Sequence, residues 1–503
     1  MEAVLTASPG KNTRATNAEL EEIFDKHSAL KGMLSSSILV SDVEAGDTSN
    51  LLMYLSRNKN PDKTEHKRRK GGKGIAGRRG STMFSAASLK EPPQEGILPP
   101  DFPDAQRFRE KRRQISTSLA TLVMKKEKRF KVVEDGAVAA LLKLSQALDD
   151  SVIQRCTASA FAFLSTEPKL RPLLLEKNVV AILVTMCTFP GAELNTRASC
   201  IKTLCNLAMV EGQESKVVRD GGPQIANVAS QYPELLDYSL TALLNLSAVT
   251  DKYHKIEDVT DAVMHIFEGN HELEESADIK MLSIVANLSN LRSNQLRLVE
   301  DGVMVVIEGH IQSKSKETRT LVGHIISNLS TCNRTRIKLV DLGIIRILLS
   351  MAKDEVDEVR RCSLAAFHNL SRDLACREKV VTAGAVVVVV RISMEPNINR
   401  IMAETAAYTL KGLSGDKSII EFLIRDGVVK ALVTLVRHPL VNVQLACAQS
   451  ISALFNFSSN SIMERLIQVG AVTVLVYLCN NKLSSNVGEW CAYALLLLCY
   501  ADE

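Results

Sequence analysis

One short triplet recurs along this sequence at a nearly constant interval. When the chain is aligned on the last position of the triplet, nine equivalent positions follow one another at spacings of 43, 39, 42, 41, 41, 43, 44 and 41 residues. A fixed period of this length is typical of repeat proteins, in which each repeat is one supersecondary unit that packs on its neighbours. The triplet Asn-Leu-Ser, or the close form Asn-Phe-Ser, begins at Asn245, Asn287, Asn328, Asn369 and Asn456.

The same triplet has the form of an N-glycosylation acceptor, which would require export from the cell. The first twenty residues contain no apolar stretch of signal-peptide length. No run in the chain approaches the roughly 20 apolar residues of a membrane span, and Glu2 excludes the Met-Gly start of myristoylation. We therefore expect a protein that is neither secreted nor transmembrane, and we attribute the triplet to the repeat.

The composition fits aliphatic helix packing. Hydrophobic residues make up 46% of the chain and aromatic residues only 4%. The eleven cysteines lie inside apolar stretches such as ASCIKTLCNLA (198–208), and none forms a CxxC pair. Free buried thiols in a reducing compartment are the expected state.

Each repeat is predicted to contain three helices. A short helix such as RTRIKLVDL (334–342) ends at a glycine turn, and an apolar second helix follows. A longer third helix such as VRRCSLAAFHNLS (359–371) has Leu364, Phe367 and Leu370 at helical spacing, facing inward. The turn motif recurs as EDGAVAALLKL at 134, RDGGPQIANVA at 219, EDGVMVVIEGH at 300, VDLGIIRILLS at 340, TAGAVVVVVRI at 382, RDGVVKALVTL at 425 and QVGAVTVLVYL at 468, and Asn178 replaces the glycine in one repeat.

This pattern resembles that of the armadillo-repeat family over residues 115–503. The resemblance implies an all-α fold: an armadillo-type α-α superhelix, a right-handed solenoid of about nine three-helix repeats. The fourth repeat departs most, because residues 255–267 lack the turn glycine and an acidic stretch follows at 271–278. We expect a local distortion there.

Residues 1–114 differ in kind from the repeats. They carry 20 basic and 15 acidic residues, whereas the rest of the chain carries 41 and 42. We predict a mostly disordered basic region, because it contains too little apolar surface to offset the entropy of ordering. A short helix at 17–31 is the exception, with Asn17 as its N-cap.

A basic arm within this region contains no acidic residue. It is open to four interpretations: a solvated linker, a nuclear localisation signal, an electrostatic contact with tubulin or RNA, and a contact with acidic lipid. Ser81 and Ser116 each follow paired arginines and resemble the substrates of basophilic kinases. The basic arm consists of Lys67, Arg68, Arg69, Lys70, Lys73, Arg78 and Arg79.

No catalytic constellation emerges from the sequence. The nine histidines are scattered, and none pairs with Ser or Cys in a recognisable nucleophile motif. Gly72, Gly74 and Gly77 spell GxGxxG, but they lie in a polar tract without the flanking strand and helix that a dinucleotide site needs. We expect no enzyme activity, no cofactor, no metal and no small-molecule substrate.

The armadillo resemblance implies a peptide-binding groove lined by the third helices. In that family an asparagine near the end of each third helix holds the backbone of an extended partner, because its amide both donates and accepts. The alternative is that an asparagine at a helix end satisfies local backbone groups. The matching positions, called the asparagine row here, are Asn206, Asn245, Asn287, Asn328, Asn369 and Asn456.

Residues one helical turn earlier share the face of the asparagine row. Tryptophans hold this place in the nuclear-import adaptors of the family, but the only tryptophan of this chain, Trp490, falls elsewhere. The positive character of the predicted groove is only patchy. The groove neighbours are Lys202, His324, Arg361, His368, Tyr408 and Lys411.

The sequence thus predicts a non-enzymatic scaffold or adaptor that binds extended segments of protein partners. A structural component of the cytoskeleton or axoneme is one alternative, and a nuclear import adaptor of the importin-alpha type is another. The expected location is the cytoplasm, with the cytoskeleton, cilium or nucleus as alternatives.

Overall fold

A computed structural model describes residues 103–210, 214–248, 274–480 and 485–499, together with the helical residues 260, 263, 264 and 266. All regular structure in this part of the chain is helical. The predicted helix at 17–31, the basic arm and Ser81 lie outside the described residues. The described chain divides after Val210 into two units.

The described part of the first unit, from residue 103 on, contains seven α-helices, and the long helices α1, α4 and α7 pack side by side. The predicted boundary at residue 115 falls inside α1, because this helix already begins at Pro103. Ile115 and Leu119 are buried and anchor α1 in the unit, while residues 106–110 are exposed. The helices are α1 (Pro103–Met124), α2 (Arg129–Glu134), α3 (Ala137–Leu144), α4 (Ser151–Ser165), α5 (Arg171–Glu176), α6 (Val179–Thr188) and α7 (Leu194–Leu207).

From α11 onward, the second unit repeats the same short–short–long order. Its third helices α9, α10, α13, α16, α19, α22 and α25 pack each against the next. The helices are α8 (Glu214–Gln231), α9 (Leu236–Ala248), α10 (Glu275–Ser289), α11 (Arg292–Glu300), α12 (Val303–His310), α13 (Lys316–Leu329), α14 (Asn333–Asp341), α15 (Ile344–Met351), α16 (Asp357–Ser371), α17 (Leu374–Thr382), α18 (Ala385–Ser393), α19 (Arg400–Ser414), α20 (Ile420–Arg425), α21 (Val428–Leu435), α22 (Val441–Phe457), α23 (Asn460–Gln468), α24 (Ala471–Asn480) and α25 (Ser485–Cys499).

The turn between the first and second helix of a repeat depends on a left-handed residue. Gly343, between α14 and α15, has φ of 83°, a conformation in which a Cβ would crowd the backbone. Asn178 holds the same place with φ of 59°, as predicted from the tolerance of asparagine for this region. The predicted glycine turn is also present at Gly136, Gly302, Gly384, Gly427 and Gly470.

The motif RDGGPQIANVA at 219 does not make this turn, so the predicted break is wrong there. A single helix, α8, runs through it from Glu214 to Gln231 with Pro223 inside. Gly221 and Gly222 are both buried. These glycines therefore allow close packing instead of a reversal, because glycine permits a positive φ without requiring it.

The third helices supply the core of each repeat. As predicted, Leu364, Phe367 and Leu370 of α16 are all buried, with at most 1% of any of them exposed. Several of these helices start with a side-chain cap, which satisfies a free N–H of the first turn. Asp150 accepts from Ile153 N at 3.2 Å before α4, and Asn399 accepts from Met402 N at 2.9 Å before α19.

The predicted distortion at 255–267 falls largely outside the described residues. The described end of the acidic stretch, from Glu275 onward, is helical and forms the first turn of α10. Eight of the eleven cysteines are buried, in agreement with the expectation of thiols inside apolar helices.

No single described helix combines the length and apolar composition needed to cross a membrane. The pair α23 and α24 meets that requirement together, but the two helices are bent by 63° at their break. Leu466 and Val474 of this pair are fully buried in the repeat core.

Candidate protein-interaction surface

The asparagine row is a row of hydrogen bonds between consecutive repeats. In four pairs the Asn Nδ2 donates to the Oγ of the serine that ends the triplet, or stands at its last position, in the preceding repeat. This bond ties the C-terminal turn of one third helix to that of the next. The pairs are Asn206–Ser165 at 3.0 Å, Asn287–Ser247 at 3.0 Å, Asn328–Ser289 at 2.9 Å and Asn369–Ser330 at 2.9 Å.

The serine hydroxyl has a defined direction in this arrangement. Each one donates to the carbonyl three residues earlier in its own helix, as Ser330 Oγ does to Ser327 O at 2.7 Å. Its lone pairs then remain to accept the amide proton of the asparagine. The same bond is made by Ser165, Ser247, Ser289 and Ser371. In these four pairs the first residue of one triplet therefore bonds to the last residue of the previous copy.

Burial limits which asparagines a partner can reach. Asn206, Asn287 and Asn369 are buried, whereas Asn328 is half-buried and Asn456 is exposed. Asn456 Oδ1 accepts a hydrogen bond from Tyr493 OH at 3.2 Å. Peptide binding by the row stays a prediction, and its accessible members are Asn328 and Asn456.

The row is interrupted at Gly412, where α19 approaches α16 closely. A Cβ at this position would lie 2.6 Å from Ser371 Oγ and 3.3 Å from Ser371 Cβ. Any side chain at residue 412 would have to displace Ser371, whose hydroxyl is already bonded to His368 O. The glycine is thus a packing requirement of this junction.

A second regularity was not predicted from the sequence. The side chain six residues after the triplet serine donates to the backbone carbonyl of that serine. Unpaired carbonyls at a helix C-terminus favour a donor, and preferably a cation, at this place. The bonds are Arg171 Nε–Ser165 O at 2.7 Å, Gln295 Nε2–Ser289 O at 2.9 Å, Arg336 Nε–Ser330 O at 3.0 Å and Arg377 Nε–Ser371 O at 2.7 Å. The constant offset of six residues is the signal that could have revealed it.

Three groove neighbours come together beside the interruption. The rings of His368 and Tyr408 lie 6.1 Å apart, and Lys411 Nζ lies 5.8 Å from the centre of the Tyr408 ring. Burial, with the nearby Arg372 and Arg336, lowers the pKa of His368 to about 4. Burial also lowers the pKa of Lys411. This basic and aromatic cluster lies on α16 and α19, with Tyr408 and Lys411 half-buried.

His324 and Arg361 meet through Glu358. His324 Nε2 lies 2.8 Å from Glu358 Oε1, and Arg361 Nε donates to Glu358 Oε2 at 2.7 Å. Hydrogen bonds from Arg361 and then His324 lower the pKa of Glu358 to about 2. Cys362 lies close enough for a shared metal ion, but burial raises the pKa of its thiol to about 12. Both carboxylate oxygens of Glu358 are bonded, so His324 and Arg361 are held in one cluster around it.

The structure also describes Lys202 and Ser116, two further residues identified in the sequence. Lys202 is half-buried on α7, in the first unit. Ser116 is completely buried in α1, and its hydroxyl donates to Arg113 O at 2.9 Å. Phosphorylation of Ser116 stays a prediction, and a kinase would reach the side chain only if α1 left its packed position.

Replacing Asn369 by alanine should lower the free energy of unfolding by about 1–3 kcal/mol, because Ser330 Oγ would be left without its buried donor. The double variant with Ser330→Ala should cost about 0.5–1.5 kcal/mol less than the sum of the single variants. Urea unfolding followed by circular dichroism measures both. Asn397→Ala, at an exposed position outside the row, should change stability by less than about 0.5 kcal/mol. Strict additivity of the two row variants would show that the hydrogen bond contributes nothing.

Comparison with known proteins supports the fold. No protein-family model matches the sequence, and the search of curated proteins gave no match. Among solved structures, an engineered protein from the Northeast Structural Genomics Consortium matches 77% of this chain and 95% of its own, with 20% identity and a TM-score of 0.60. A computationally designed armadillo repeat protein for modular peptide recognition matches 47% of this chain and 98% of its own, with 18% identity and a TM-score of 0.43.

The order and spacing of the helices identify the fold class. Short first helix, left-handed turn, second helix and long third helix recur with the period read from the sequence. The chain therefore has the armadillo-type repeat fold.

Proposed function

We propose that this chain is a non-enzymatic scaffold that binds an extended protein segment across the third helices of its second unit. The observation that carries the proposal is the side-by-side packing of α10, α13, α16, α19 and α22. Equivalent positions of successive helices form a row on one face, where Asn328, Tyr408 and Asn456 are accessible.

The spacing of packed helices suits an extended ligand. Adjacent helices lie about 8–10 Å apart, which is the span of about three extended residues. A segment of about a dozen residues would therefore cross α13, α16, α19 and α22. Amide side chains match its backbone, since they donate and accept together.

The chemistry of the row favours a partner with acidic and aliphatic groups. Lys411 supplies a cation beside the aromatic face of Tyr408, and Arg372 lies exposed at the end of α16. The partner would bear most of the ordering cost, so moderate and reversible affinity is expected.

A degenerate library of twelve-residue peptides displayed on phage tests the proposal. We expect selected peptides to bind the full chain and to lose about tenfold or more of their affinity with Tyr408→Ala or Lys411→Gln. Lys430→Gln, which removes an exposed charge from the second helix α21, is the matched control and should leave affinity unchanged. Selected peptides that bind all variants equally would contradict the proposal.

A further inference from the structure

An arginine-lined cavity opens beside the C-terminal ends of α13 and α16. Its volume is about 360 Å³. It is formed by three repeats in succession, through the starts of α11 and α14 and the residue after α16. The lining residues are Arg292, Thr331, Cys332, Asn333, Arg336 and Arg372.

The three arginines form no ion pair with a carboxylate among the described residues. Arg292 and Arg372 are exposed, and Arg336 is 7% exposed. The backbone carbonyls of Ser330 and Thr331 accept from Arg336 at 3.0 and 2.9 Å, which fixes its guanidinium without neutralising the charge. The acid found near Arg336 is Asp373, and its Oδ1 accepts from Ala375 N at the start of α17.

A helix end adds to the positive potential of the cavity. α14 begins at Asn333, and its N-cap residue Cys332 makes no side-chain capping bond. The first N–H groups of a helix lack intrahelical partners and carry partial positive charge. Guanidinium groups and a helix N-terminus together are the donors that phosphate groups bind in proteins.

The charge and shape of the cavity narrow the ligand class. Three guanidinium groups in a lining that contains no carboxylate match a dianionic phosphoryl group better than a single carboxylate. The lining contains no aromatic side chain on which a nucleobase could stack. Thr331 and Arg372 lie within two residues of the ends of α13 and α16, which carry Asn328 and Asn369, so a segment crossing the row would pass the cavity.

We propose that this cavity binds a phosphorylated side chain of the extended segment, an inference that rests on the proposed function. Phosphorylation of the partner would then control its affinity for the scaffold. The volume exceeds that of a phosphoryl group alone and leaves room for the side chain that carries it.

Three matched peptide libraries test the inference on the full chain. They share degenerate flanks and differ only in a central phosphoserine, glutamate or serine. We expect the phosphoserine library to bind about tenfold or more tightly than the other two. Arg292→Gln and Arg372→Gln, both at exposed positions that should not affect folding, should each remove most of that gain.

The control is Arg334→Gln, which removes an exposed charge from the same helix α14 outside the cavity lining. It should retain the gain. A gain that survives both cavity variants would overturn the inference, as would equal binding of the phosphoserine and serine libraries. If the serine library still binds in a Tyr408-dependent manner, the proposed function stands without the phosphate site. Arginine-dependent binding to phosphatidylinositol phosphate vesicles, without binding of phosphopeptides, would assign the cavity to a lipid headgroup and overturn the inference.

Discussion

Replacing Leu370 by alanine should lower the free energy of unfolding by about 2–5 kcal/mol. Leu370 is the middle residue of a triplet, it is 0% exposed, and α16 packs between α13 and α19. The shortened side chain would lose its transfer free energy and leave a cavity that rigid neighbouring helices cannot close. Urea unfolding of the full chain, followed by circular dichroism, measures the change.

The chain offers a close control for this substitution. Leu374, four residues later at the start of α17, is 68% exposed. Leu374→Ala should change the free energy of unfolding by less than about 0.5 kcal/mol. Equal effects of the two substitutions would mean that the third helix does not carry the core of this repeat.

Acidification from pH 6.5 to about 4 should cost roughly 3 kcal/mol of stability through His368 alone. Burial, then the neighbouring Arg372 and Arg336, lowers its pKa from 6.5 to about 4. The unfolded chain therefore binds a proton in this window that the folded chain does not bind. The stabilisation is fully present above pH 6.5 and is lost as the pH falls toward 4.

The comparison with His368→Gln isolates this contribution from other titrating groups. The variant should show a shallower decrease in the free energy of unfolding between pH 6.5 and 4. Glu358, whose pKa is about 2 in the folded chain, also begins to lose its stabilising effect near pH 4, but this contribution is common to the variant and the wild type and cancels in the comparison. Parallel pH profiles of the variant and the wild type would show that His368 is protonated in the folded chain.

The repeat and its turns were predictable from the sequence because they depend on local chemistry. A left-handed turn is open to glycine and, less readily, to asparagine. These residue types at equivalent positions of the repeat, such as Gly343 and Asn178, therefore predict the turn. The inward face of α16 follows from the spacing of its apolar residues alone. Local rules failed at Gly221 and Gly222, which are buried inside the continuous helix α8, because glycine permits the turn without requiring it.

The candidate site was less predictable because its partners lie in neighbouring repeats. The asparagine row was identified by position, but its bond to the serine of the preceding repeat depends on how two helices are placed. The cavity arginines are separated in the sequence, at 292, 336 and 372, and only the stacking of three repeats brings them to one surface. At Ser116 the sequence contains a recognisable kinase-like motif, but the motif gives no indication that α1 buries the side chain.

The polarity of the Asn–Ser bond has a consequence for rearranging the chain. A segment cut out between equivalent points of two repeats presents an unsatisfied asparagine donor toward the preceding repeat and an unsatisfied serine acceptor toward the following one. Duplicating the segment 331–371 in tandem would thus rejoin matching ends, with Asn369 of the new copy meeting Ser371 of the old. Joining any triplet serine to the copy that contains Gly412 would leave that acceptor unmatched. The residues in the last turn of each third helix therefore limit the order in which repeats can be joined.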